Sequence, residues 1–595
     1  MSVQTGIETP RGPRSRRLGD QVRYRVDRWR AEPNPLWIRE MRQSARMLRT
    51  PIILMVLTVL VTLLMSALGG ILTGTSSPAE AGTILFHTFF SLAFFVVTLV
   101  GPALAANSIA SEREGQTWEA VLLTGMRPAE VARGKFMSAY SAIAMYIVML
   151  APVGALPFLF GGITPIEVLV AFIFLFLIAL LGVAFGLAIS SKMASLRGAL
   201  LVTLLVAIPL SVFSYVTFGV ALSALAHQLW DVIPEGPPVW LPTAYGRVPF
   251  GVDYLVYLVA IPTAGIGLPA WLLYEVTRSN LTSVTDDRSY GLKKWFLATS
   301  VVLAATATIP LFAIGAADRA GALIAGVSFY VCFIIFCAFL FGGESIGPSR
   351  RVDKMLAAGG ALRRALGPGV MRAAGLQLLV GLGAIGLLCL TGVITIQLAG
   401  TTRAAVQAEQ VIMFSAYAAG FSTFVIGLTA LLRARSTSTT VPRVLLLVML
   451  FFITLGPWIL AAITGVLSRS SSPFGASMAV AAPSPAYAIL AATALAEPDP
   501  GVAPIASVVT SFLYAGLGAM LFFIARTKCK GIIAEHRRVL ADADLRLAEE
   551  DRQAAEQRAA AEQARLEALE QPTATETTED GAADDDWGGP PEIDT

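Results

Sequence analysis

Ile84-Leu85-Phe86-His87-Thr88-Phe89-Phe90-Ser91-Leu92-Ala93-Phe94-Phe95-Val96-Val97-Thr98-Leu99-Val100-Gly101-Pro102-Ala103-Leu104-Ala105-Ala106-Asn107-Ser108-Ile109 contains one ionisable side chain, His87. The run is long enough to cross a bilayer core as a helix, which takes about 20 apolar residues. It does not alternate, so it is not a barrel strand. Eleven more runs read the same way, near 51–73, 136–161, 166–190, 198–226, 254–274, 295–315, 320–341, 374–399, 410–432, 444–467 and 501–525. The fold class expected is an all-α polytopic membrane protein of about twelve transmembrane helices.

Composition agrees. Of 595 residues, 55% are hydrophobic and 14% charged, and mean hydropathy is +0.68. A globular chain carries roughly one quarter charged residues. A disordered chain, a nucleic-acid-binding protein and an ordinary soluble enzyme are excluded. Cys332, Cys337, Cys389 and Cys529 have neither disulfide-framework nor zinc-ligand spacing. They read as lipid- or core-facing thiols.

Charge sets the topology. With the N-terminus inside, only Arg247, Arg319, Arg403 and Arg469 of the 44 Lys and Arg fall on the outer side. Cytoplasmic loops collect Lys and Arg, so both termini are expected in the cytoplasm and the chain in the inner (plasma) membrane. No apolar segment precedes residue 51, and no cleavable signal peptide is expected. Residues 34–50 place Leu36, Trp37, Met41, Ala45 and Leu48 at helical spacing among Arg39, Arg42, Arg46 and Arg49. They predict an amphipathic helix on the inner leaflet, with Trp37, Arg39, Glu40 and Arg42 as its candidate contacts. Two outer loops, 227–253 and 468–500, are long and Pro-rich. Trp230, Trp240, Leu241, Tyr245 and Phe250 predict that the first dips into the interface.

The spans hold only His87 and Glu167 as ionisable residues, both near ends. Ion-coupled carriers place such groups within the bundle, which argues against a twelve-span secondary transporter. No phosphate loop occurs: Gly134-Lys135 is followed by Phe136, and Ala129 stands where the first Gly belongs. His87, His227 and His536 are too few and scattered for a triad or metal cluster. The chain is expected to be non-catalytic, with no metal and no cofactor of its own.

The segment Ala106–Lys135 is a charged turn, a short helix with Val121, Leu122 and Leu123 as an apolar patch, a break at Gly125 and Pro128, and a second helix leading to Lys135. Its residues Glu112, Arg113, Glu114, Thr117, Glu119, Leu123, Thr124, Glu130, Val131, Gly134 and Lys135 follow a gapless pattern. The pattern resembles the cytoplasmic signature of type-2 ATP-binding-cassette export permeases: Glu-Arg-Glu, Gly-Thr-x-Glu, Leu-Leu-x-Thr-Pro, then Ile/Val-x-x-Gly-Lys. The chain departs from it twice: Gln116 stands where Gly is usual, and Gly125 where Pro is. Asn34-Pro35 through Arg39-Glu40 is similar to the family's opening, and the likeness covers residues 33–275. The resemblance implies a permease subunit of an ATP-driven exporter, with ATP and Mg bound by a separate cassette ATPase present in two copies. It further implies that the N-terminal helix and this loop, with Glu112, Arg113 and Glu119, contact that ATPase. A non-transporting membrane anchor or scaffold is the remaining alternative; no nucleic-acid partner is expected.

The second half reads as a candidate degenerate repeat. Glu344 answers Glu112, Tyr487 answers Tyr245, and Pro457 answers Pro209. Glu344, Arg350 and Arg351 form a candidate second coupling loop. The expected organisation is a basic N-terminus (1–50), a six-span domain (51–275), a cytoplasmic linker (276–294), a second six-span domain (295–526), a charged cytoplasmic helix (527–571) and an acidic disordered tail (572–595). Residues 33–275 are expected to face residues 293–526 across a central apolar cleft as a pseudo-dimer. The rival arrangement is a homodimer whose first six spans form the pathway.

Overall fold

The computed structural model describes residues 33–46, 49–216, 230, 245–283, 285–312, 314–468 and 476–570. The first half holds α1 (Pro35–Arg46), α2 (Arg49–Leu72), α3 (Pro78–Glu114), α4 (Trp118–Leu123), α5 (Pro128–Phe160), α6 (Pro165–Ser190), α7 (Leu196–Ser214) and α8 (Ile261–Leu281), the last preceded by a π-helical segment Tyr254–Ala260. The second half holds α9 (Tyr290–Thr308), α10 (Arg319–Phe341), α11 (Arg350–Ala357), α12 (Ala361–Ala365), α13 (Val370–Leu398), α14 (Ala404–Arg435), α15 (Val441–Ser468), α16 (Ala476–Ala479), α17 (Tyr487–Ala494) and α18 (Ala503–Glu570). No strand occurs among the described residues. Eleven described helices are long and apolar enough to cross a membrane. The protein is an all-α, multi-pass membrane protein.

Three long helices start the same way, with Pro at the first helical position and Glu two residues later. The Ser77 amide donates to Glu80 (3.2 Å) and the Thr164 amide to Glu167 (3.0 Å). The Arg127 amide donates to Glu130 (3.1 Å). Proline has no amide to lose there, and the carboxylate satisfies an orphan donor. Glu167, one of the two ionisable residues of the spans, is therefore a cap; Arg247 pairs with it at 3.2 Å.

The run near 295–315 departs from expectation. Its helix, α9, begins five residues earlier, takes in Lys293 and Lys294, and gives way at Ile309–Phe312 to a 3-10 turn containing Pro310. The two lysines and the early stop leave it outside the eleven. The last expected span and the charged helix after it are one helix, α18. Residues through Cys529 belong to one unit and those from Lys530 to another. In the latter, Leu545, Leu547 and Leu566 are exposed. Residues 1–32, Trp240, Leu241 and the 572–595 tail lie outside the described residues.

Each half has its own core. Phe86, Phe89, Phe90, Ile143 and Tyr146 centre the first; Phe296, Tyr330, Ile334, Tyr417 and Phe421 centre the second. Both follow one plan: α3 packs on α5 and α6, as α10 packs on α13 and α14. A tyrosine in each of the two long Pro-rich loops is buried. Tyr245 is buried and donates to the Leu258 carbonyl. Tyr487 is buried too, beside a loop whose Ala482 carbonyl accepts from Tyr417 at 2.8 Å.

Among the described residues the two halves touch where the consecutive helices α8 and α9 pack. There the Trp295 indole donates to the Leu268 carbonyl (2.8 Å). The linker between them is short, so the last helix of one half lands beside the first of the next. An apolar groove of about 340 Å³ runs between α3 and α7, lined by Leu99, Leu104, Asn107, Leu196, Leu200 and their neighbours on those two helices.

Candidate functional site

Asn34 begins the site. Its Oδ1 accepts from the Leu36 amide (3.0 Å), capping α1, and its Nδ2 donates to the Glu130 carbonyl (2.7 Å). One side chain thus starts α1 and fastens it to the first turn of α5. Leu36 packs with Val121 and Val131 in a small core shared by α1, α4 and α5. Trp37 donates to Ser141 (3.1 Å). Gly134 lets the chains approach this closely: a Cβ there would lie 2.6 Å from Asn34 Oδ1 and 2.9 Å from Leu36 Cβ.

Charge completes the joint. Lys135 is 2% exposed, and its ammonium lies 2.8 Å from Glu112 Oε1 and also pairs with Glu40. It donates further to the Ser108 carbonyl (3.1 Å). Arg39 reaches the same Glu112 oxygen from outside. Two cations and two carboxylates from α1, α3 and α5 form a neutral quartet, which is how buried charge is tolerated. Just before it, Ser190 Oγ accepts from the Ile109 and Ala110 amides (3.1 and 3.0 Å) and donates to the Ala106 carbonyl (2.7 Å). A hydroxyl from α6 is inserted into the end of α3.

The remaining signature residues divide by task. The Arg113 guanidinium sits over Trp118 and donates to the Met193 carbonyl (3.3 Å). Glu114 accepts from the Leu196 amide (2.7 Å), capping α7. The Thr117 amide closes the turn onto the Glu112 carbonyl (2.9 Å), Thr124 Oγ1 donates to the Val121 carbonyl (2.6 Å), and Glu130 caps α5. Glu119 and Arg42 are exposed, and Leu123 is 87% exposed. Glu112, expected to contact the ATPase, has its side chain 13% exposed and turned onto Lys135. Of α4, Val121 points in while Glu119 and Leu123 point out.

Both departures from the signature have a backbone reading. Gln116 has φ +56°, a left-handed conformation that favours glycine. Gly125 has φ +71°, which proline, fixed near −65°, cannot adopt.

Glu344 anchors a parallel joint in the second half. Its Oε1 accepts from Lys293 (2.7 Å) and from the Gly369 amide (2.9 Å), and its carbonyl accepts from Arg433 (2.7 Å). As at Glu112, a carboxylate at the end of a spanning helix holds a cation near the half's first span and the start of its third. Arg351 pairs with Asp286 at 3.3 Å, and Arg350 begins α11 beside it. Sequence reading missed Asn34 as a fastener, Ser190 and Lys293. A lysine ahead of an apolar run signals only orientation, and a serine inside one signals nothing.

Among the described residues no group of three or more His, Cys, Asp or Glu could hold a metal ion. The arrangement is a mechanical joint that makes α1, α3 and α5 one body and presents α4 outward. In comparisons with known proteins, no family model and no curated protein matches this chain.

Proposed function

We propose that the chain is the permease subunit of an ATP-driven exporter of an inner membrane, with both termini in the cytoplasm. ATP and Mg would be held by a separate cassette ATPase. The observation that carries this reading is the joint itself. A six-residue helix exposes Glu119 and Leu123 while Val121, the Thr117 turn and the Glu112–Lys135 pair tie its two ends to α3 and α5. A push on α4 is then delivered to two spanning helices together, which is what coupling by rigid-body motion requires.

The second observation concerns assembly. Because the halves touch through α8 and α9 and the α3–α7 groove is lined by those two helices alone, the homodimer reading is favoured over the pseudo-dimer. Two chains would then carry two ATPases, one on each first-half loop.

The test is co-purification with a cassette ATPase, using Leu123→Asp and Glu119→Lys. Both side chains are exposed, so thermal unfolding of the bundle should not change. ATPase retention should drop at least tenfold, the size expected when an apolar anchor is replaced by a charge. Native mass of the wild-type complex should give two permease chains and two ATPases. Unchanged retention in both variants would refute the docking assignment, and a single permease chain per complex would refute the homodimer.

A further inference from the structure

The two loops that occupy equivalent places in the halves carry different charge. From Glu112 to Lys135 the first has four acids and four bases. From Glu344, the counterpart of Glu112, to Arg372 the second has six cations and two carboxylates, Glu344 and Asp353. A second copy of one docking surface would keep the electrostatics of the first, since like partners need like complementarity.

The second loop is also built rather than loose. Ser349 caps α11 by accepting from the Val352 amide, and its hydroxyl donates to the Thr285 carbonyl. Val352, Leu356 and Leu366 are buried at 1%, 3% and 1% exposure, pinning α11 and the end of the loop to the bundle. What this leaves outward is Arg351, Lys354, Met355, Leu362, Arg363 and Arg364, with Leu362 67% exposed. Cations interleaved with exposed apolar side chains suit an anionic bilayer surface, where methylenes enter the interface and charges meet phosphates. Connectivity sets the depth: the segment joins the end of one membrane-spanning helix, α10, to the start of another, α13.

We propose that the α11–α12 platform binds the anionic phospholipid headgroups of the bilayer that the chain spans, and is not a second ATPase contact. It does not rest on the exporter reading, since charge and connectivity alone carry it.

The experiment uses the full chain in nanodiscs of phosphatidylcholine alone, or of phosphatidylcholine mixed with phosphatidylglycerol, with no ATPase present. Amide exchange over 350–366 should be several-fold slower in the mixed bilayer. Arg363→Gln with Arg364→Gln should remove most of that difference, at about fivefold per charge at low salt. Arg133→Gln with Arg197→Gln, an equal charge loss on exposed residues of the first half, should leave it intact. Equal exchange in the two bilayers overturns the proposal, as does an equal loss in both variants. If a cassette ATPase is retained by the wild type and lost from the Arg363/Arg364 variant while exchange ignores lipid composition, the surface docks protein and the proposal is wrong. ATPase binding that survives this variant but fails on Leu123→Asp separates the two questions.

Discussion

Replacing Lys135 by Met keeps a side chain of similar reach and deletes one charge. Lys135 is 2% exposed and meets Glu40, Glu112 and the Ser108 carbonyl. Without it, two carboxylates share a site with Arg39 alone. Removing one partner of a buried pair costs about 3–5 kcal/mol. Glu40 and Glu112 keep 15% and 13% exposure, and Arg39 still reaches Glu112, so the low end applies. About 3 kcal/mol is roughly a 150-fold change in the equilibrium between docked and undocked α1. Amide exchange of 35–46 in detergent or nanodiscs reads it directly. Adding Glu40→Gln should restore about 1–2 kcal/mol, because the carboxylate that Lys135 alone pairs is then gone. Unchanged α1 protection in Lys135→Met would refute the reasoning. So would a double variant whose loss is the sum of the two single losses.

Gln116→Gly should slow amide exchange across 112–118. Relief of a left-handed non-glycine residue, about 1–2 kcal/mol, outweighs the added chain entropy of about 0.5–1 kcal/mol; faster exchange would contradict the assigned backbone. Gly134→Ala should undock α1, since its Cβ meets Asn34 Oδ1 at 2.6 Å. The expected cost is about 1–3 kcal/mol, read as lost protection of 35–46, and wild-type protection would count against the close approach.

The spans were legible because burial in lipid demands long apolar helices, and no tertiary contact competes with that demand. The exception is instructive. Residues 295–315 were read from apolarity alone, yet Lys293 is drawn into the helix by Glu344 and the Gly367 carbonyl. A pairing 51 residues away is invisible to a window. The quartet was half legible. Glu112, Lys135, Arg39 and Glu40 were singled out as types, but composition cannot say which face a carboxylate takes, and Glu112 turned inward. Asn34 and Ser190 were illegible as partners, because their work depends on where two helices cross. The contact of α8 with α9 was not legible, because a repeat fixes what each half resembles, not how the halves meet.

The junction between the halves bears on biogenesis. Every residue of the first core precedes residue 282, and the contact that joins it to the second is made by α8 and α9, neighbours in the chain. Chains emerge N-terminus first and units fold as they are completed. The first half can therefore close its core in the bilayer while the second is still being synthesised. When α9 is inserted it meets a finished wall, with the Leu268 carbonyl in place for Trp295. Assembly then proceeds by accretion along the chain, and no early helix has to wait unsheltered for a late one.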